Sequence, residues 1–155
     1  MGFLTKTNIT YLKIATIYIL STLYVIIGIK HFIDLDFFLA IMPPYIPLHK
    51  ECVYISGLCE IVFGILMLFN KTRKVGAWGI ILLLIAVFPA NIYLYSSEIA
   101  QEALQISKTK ALIRMPFQIP LIIIAYWHSL KEDNKQISYI SLILFLPTIL
   151  YFITL

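Results

Sequence analysis

Charge is scarce in this sequence. Asp, Glu, Lys and Arg make up only 13% of its 155 residues, against about 25% in soluble globular domains. Cysteine is scarcer still, with Cys52 and Cys59 the only two. On one helix, seven residues apart, they would sit roughly 10 Å from each other along the axis, too far for a disulfide between them. With no C-x-x-C pair and no zinc-ligand spacing, they read as ordinary buried apolar cysteines and give no metal site. Paired hydrolase carboxylates, a Ser/His/Asp arrangement and a glycine-rich phosphate loop are also missing. What is abundant is apolar surface: 61% of the chain is hydrophobic, and mean hydropathy is +0.91. A soluble chain this short could not hide so much, because small domains bury only about two-thirds of the surface they expose when unfolded. A soluble enzyme, a disordered chain and a secreted disulfide scaffold are excluded. The composition is that of an integral membrane protein.

Five stretches approach the roughly 20 apolar residues needed to cross a bilayer: Tyr11–Ile29, Cys52–Phe69, Val75–Tyr95, Ile113–His128 and Ile137–Thr154. The expected architecture is an all-α polytopic membrane bundle. The first stretch lacks an A-x-A-like cleavage site and is expected to remain as an anchor. Asp36–Pro47 is too apolar for a solvated loop and too rich in proline for a spanning helix. It reads as an interfacial or re-entrant cap supported by protein. Ser97–Lys110 alternates charged and apolar residues and reads as one amphipathic helix.

The formal net charge is +4. No basic run interleaves with aromatics as nucleic-acid binding requires, so these charges read as juxtamembrane residues facing anionic lipid. With the N-terminus inside, the cytoplasmic side would hold Lys6, Lys13, Lys71, Arg73, Lys74, Lys131 and Lys135. The opposite side would hold Lys30, Lys50, Lys108, Lys110 and Arg114. The positive-inside rule thus favours a cytoplasmic N-terminus and a C-terminus outside. Trp78 and Trp127 read as interfacial anchors at the inner ends of their helices.

Polar groups within such spans are costly, and mark functional sites by default. Glu60 lies eight residues into the second span, about 12 Å from its outer end. It shares a face with Ser56 and Gly64, where small residues let a neighbouring helix approach. Arg114 opens the fourth span and offers a planar fork of donors that could grip Glu60 bidentately. Gln118 follows one turn later. Asn91 sits near the outer end of the third span, where Pro89 should leave the carbonyl of Ile85 free. Pro120 should do the same for Pro116. His31 follows the first span, and Tyr93 could face the same place. Alternating passes through the membrane put His31, Glu60, Asn91, Arg114 and Gln118 all in the outer half. A purely structural Glu60–Arg114 pair, ordinary interhelical hydrogen bonds from Asn91 and Gln118, and a His31 without a ligand are the competing readings.

Several segments together resemble the DoxX-like family of small membrane proteins. They are Gly28-Ile29-Lys30-His31-Phe32, Ile41-Met42-Pro43-Pro44-Tyr45-Ile46-Pro47 and Tyr54-Ile55-Ser56-Gly57-Leu58-Cys59-Glu60-Ile61, then Arg73-Lys74-Val75-Gly76-Ala77-Trp78-Gly79, Val87-Phe88-Pro89-Ala90-Asn91-Ile92-Tyr93 and Arg114-Met115-Pro116-Phe117-Gln118. The resemblance runs in order from about Tyr18 to Trp127. It implies a four-helix membrane domain over residues 1–136, with residues 137–155 an added fifth helix outside the common core, so that its removal should leave the bundle assembled. Some relatives are linked with thiosulfate:quinone oxidoreduction and others with membrane redox complexes. The resemblance therefore implies a bound quinone, or haem, or a partner subunit as the route to any redox role, and assigns no catalytic residue.

Three classes of function follow. The first is a quinone-linked redox subunit in which Arg114 or His31 donates to a quinone carbonyl and Glu60 handles a proton. The second binds or transports a small polar or anionic solute through Arg114, Asn91 and Gln118. The third is a structural subunit of a membrane complex. Whether the chain is an enzyme stays open. The implied partners are the lipid bilayer, a small-molecule ligand, and a membrane subunit or a second copy in a homo-oligomer.

Overall fold

The computed structural model describes residues 5–132 and 134–153. Among these the chain is all helix and turn, without strands. The helices are α1 (Lys6–Ile33), α2 (Leu35–Ala40), α3 (His49–Leu68), α4 (Arg73–Ser96), α5 (Glu98–Leu104), α6 (Lys108–Arg114), α7 (Gln118–Ser129) and α8 (Lys135–Ile153). Five segments are long and apolar enough to cross a membrane: α1, α3, α4, α6 with α7, and α8. The chain is a multi-pass helical membrane protein. Its exposed side chains suit that solvent, since Ile33, Ile55, Leu82 and Ile143 all point outward. The expected end of the last span at Thr154 lies outside the described residues.

Several boundaries differ from the sequence reading, each for a local reason. Helix α1 starts earlier because the Thr5 hydroxyl accepts a hydrogen bond from the Asn8 amide at 3.2 Å, capping its N-terminus. The single amphipathic helix expected over Ser97–Lys110 is broken. Gln105 is left-handed (φ 53°) and ends α5, and Ser107 caps α6 by accepting from the Lys110 amide at 3.3 Å.

The fourth span is two helices rather than one. Met115–Phe117 forms a turn between α6 and α7, because Pro116 cannot supply a helical N–H and Pro120 is tolerated in the first turn of α7. The carbonyl of Pro116, expected to be free, accepts from the Ile119 amide at 3.1 Å.

Helices associate in lipid through close packing rather than through a hydrophobic driving force. Here α1 and α3 meet at Gly28 and Gly57. A Cβ on Gly28 would lie 2.6 Å from the Gly57 carbonyl oxygen, and one on Gly57 would lie 2.5 Å from the Cβ of His31. Leu20, Met67, Ile80 and Ile124 then form the heart of the main core.

Helix α8 packs into this apolar core. Phe145 and Ile149 pack into the main cluster. Tyr151 stacks on Phe117 with centroids 4.1 Å apart, and its hydroxyl donates to the Lys110 carbonyl at 3.2 Å. Trp127, expected at a membrane interface, is fully buried, and its indole N–H donates to the Ser138 hydroxyl at 2.9 Å. Cys52 and Cys59 are free and only half-buried. A chain ending at Glu132 should therefore lose its monodisperse peak on size-exclusion chromatography in detergent. A sharp monomer peak with unchanged melting temperature would show that α8 is dispensable, as the sequence reading held.

Candidate functional site

Between the helices lies a cavity of about 170 Å³ with mostly apolar walls and a few polar groups. Tyr24, Ile27 and His31 of α1 form one wall, and Val53, Ser56 and Glu60 of α3 another. Leu84, Val87 and Asn91 come from α4, Arg114 ends α6, and Gln118 and Leu121 open α7. Ile149 and Phe152 of α8 complete the wall. Phe38, Ile41 and Met42, from α2 and the turn after it, lie across the end. A cavity of roughly 150 Å³ accommodates a benzene ring, so this one has room for a single-ring molecule.

All five candidate residues of the sequence reading line this space, as does Ser56. Pro89 and Tyr93 do not. Tyr93 packs instead on a second apolar cluster around Leu94, Ala100 and Ala111. Ile85, whose carbonyl Pro89 cannot reach, lies on the exposed face of α4. The polar tie to α4 falls one residue earlier, where the Gln118 side-chain amide donates to the Leu84 carbonyl at 3.4 Å. Ser56 donates to the Val53 carbonyl at 2.9 Å on its own helix. Asn91 is buried and lines the cavity.

The expected Glu60–Arg114 fork does not form. The side chain beside Glu60 is instead His31, whose Nδ1 lies 3.5 Å from Glu60 Oε2. The same Nδ1 lies 2.9 Å from the Ile27 carbonyl. A carbonyl can only accept, so Nδ1 carries the hydrogen and presents it beside Oε2. The His31 ring is fixed by stacking on Phe38, centroids 3.6 Å apart. The reason is geometric: the Gly28–Gly57 contact draws His31 of α1 onto α3, whereas Arg114 is carried by the separate helix α6 on another wall. Glu60 Oε2, Arg114 Nε and the Tyr24 hydroxyl are all buried without a hydrogen-bond partner. Such groups normally find one. Here all three line the same cavity, which can supply a donor to Glu60 and an acceptor to Arg114.

Tyr24 was not singled out from the sequence, although its spacing signals it: Tyr24, Gly28 and His31 fall on one face of α1. A second polar group was missed at the opposite end of the bundle. Lys13, expected in a cytoplasmic flank, is buried and donates to the Leu130 carbonyl at 2.9 Å. Nearby, Thr16 Oγ1 and His128 Nε2 are hydrogen-bonded at 3.0 Å. Among the described residues, no group of three or more His, Cys, Asp or Glu side chains is placed to hold a metal ion.

Fold and cavity together define a multi-pass helical bundle with a buried polar site. The chain belongs to the family described as a domain of unknown function (DUF8561), whose profile matches residues 20–129. That match covers more than two-thirds of the chain, takes in all five candidate residues and stops before α8. No curated protein and no solved structure matches the chain.

Side chains in contact couple by about 0.5–3 kcal/mol, while separated ones add nearly independently. A double-mutant cycle should therefore show larger non-additivity for Glu60→Gln with His31→Phe than for Glu60→Gln with Arg114→Met. Denaturant unfolding in detergent reads this. The reverse order would mean that Glu60 and Arg114 form the direct pair.

Proposed function

We propose that this protein is a membrane-embedded binding protein whose cavity lies in the outer half of the bilayer and takes a small ring-sized molecule, with the head group of a membrane quinone as the favoured occupant. One observation carries the reading: an apolar-walled cavity lined by a carboxylate oxygen and a guanidinium nitrogen that have no partners in the protein. Apolar walls with a few convergent polar groups are the usual make-up of a small-molecule site. Arg114 is the donor for a ring oxygen, and Glu60, backed by His31, is the group that exchanges a proton with it. The DoxX-like resemblance of the segments around His31, Glu60, Asn91 and Arg114 adds the quinone and a role in a redox complex.

Binding of a small polar solute is the second reading. It is favoured by Asn91, buried on the cavity lining together with Gln118 of α7. Solute uptake by proteoliposomes that carry no quinone would select it.

A ligand that binds only the folded state stabilises it by about 2.7 kcal/mol at a hundredfold excess over Kd. A fully ring-substituted short-chain quinone, tested in both oxidation states, should raise the melting temperature of the detergent-purified protein. Arg114→Met should abolish the rise. No shift with either oxidation state, at concentrations where the probe stays soluble, would reject the quinone reading.

A further inference from the structure

The three unpartnered atoms specify what the occupant must carry. Glu60 Oε2 faces the Nδ1–H of His31 at 3.5 Å, so it offers a lone pair and calls for a donor. Arg114 Nε has no acceptor capacity and calls for an acceptor. Tyr24, only 7% exposed, has a hydroxyl that can serve either way. A net charge on the occupant would be buried among mostly apolar walls at high cost, which calls for an uncharged molecule. The remaining lining, including Leu20, Leu84 and Leu121, is apolar.

Resting on the reading of this cavity as a binding site, we propose that its occupant is an uncharged single-ring molecule bearing both a hydroxyl donor and an oxygen acceptor. The hydroxyl donates to Glu60, and the acceptor oxygen lies toward Arg114, with Tyr24 bonding to either. A ring carrying acceptors alone leaves Glu60 unpaired. Within a quinone couple, the reduced member meets the requirement and the oxidised member does not.

A series of small para-substituted benzenes, handled without oxygen so that hydroquinone stays reduced, tests this: hydroquinone, para-methoxyphenol, para-dimethoxybenzene and para-xylene. Binding to the full-length protein in detergent is followed by calorimetry at known free ligand concentration. An unsatisfied buried polar group costs about 1–3 kcal/mol, so para-dimethoxybenzene should bind roughly tenfold or more weakly than hydroquinone. Para-methoxyphenol should approach hydroquinone. Glu60→Gln, whose amide both donates and accepts, should shrink the difference. Tyr24→Phe, the milder change, should weaken hydroquinone several-fold while leaving para-xylene unaffected. Equal binding of hydroquinone and para-dimethoxybenzene would overturn the donor requirement while leaving the cavity a binding site. No binding by any of the four would overturn the binding-site reading itself.

Discussion

The approach of α1 to α3 at Gly28 and Gly57 is the constraint on which the rest of the bundle depends. With the Gly57 carbonyl only 2.6 Å from where a Cβ of Gly28 would stand, no other residue fits at this crossing without moving a helix. The contact brings the His31 side chain onto α3, and that in turn puts an imidazole N–H beside Glu60. A wider crossing would leave the carboxyl with a different neighbour and leave Phe38 nothing to stack on. The capping segment, the cavity and its polarity thus follow from two missing side chains.

The two polar regions of the bundle differ in how many of their polar groups are tied within the fold. At the end away from the cavity, Lys13, Thr16 and Trp127 direct their polar atoms to Leu130, His128 and Ser138. These bonds tie α1, α7 and α8 together and serve assembly. At the cavity end, Glu60, Arg114 and Tyr24 keep buried atoms without such bonds. Between the two lie Leu20 on α1 and Ile124 on α7, both deep in the main core. A buried polar group satisfied within the fold rigidifies it, whereas one left over is a liability unless something else satisfies it. At the far end His128 Nδ1 is likewise buried without a partner, whereas at the cavity three such groups, on Glu60, Arg114 and Tyr24, border one space.

The helical bundle was legible in the sequence because apolar runs of membrane-spanning length are a strong signal. The residues that line the cavity were legible for the same reason: a charge or amide in such a run stands out. Their pairing was not. Alternating passes give depth but not rotation about each helix axis, so Glu60 and Arg114 could be placed at one level without revealing that His31 lies closer. Trp127 was misjudged, and Tyr24 passed over, because an amphipathic aromatic ring suits either a bilayer interface or a buried site. The breaks at Gln105 and at Met115–Phe117 depend on backbone geometry that composition only hints at. For α8, the absence of charge concealed a contribution made through Phe145, Ile149 and the Ser138 hydroxyl.

Holding Glu60 and Arg114 on separate walls has an electrical consequence. Two opposite charges that meet largely cancel one another beyond their immediate surroundings. When both are ionised and kept apart across mostly apolar walls, they set up a field directed from the guanidinium toward the carboxylate, weakly screened at low local dielectric. A molecule with a dipole would therefore enter with one orientation strongly preferred. Its bonds would also be polarised before any proton moved. The cavity is in this sense not a neutral container but a fixed axis, built into the helices before anything occupies it.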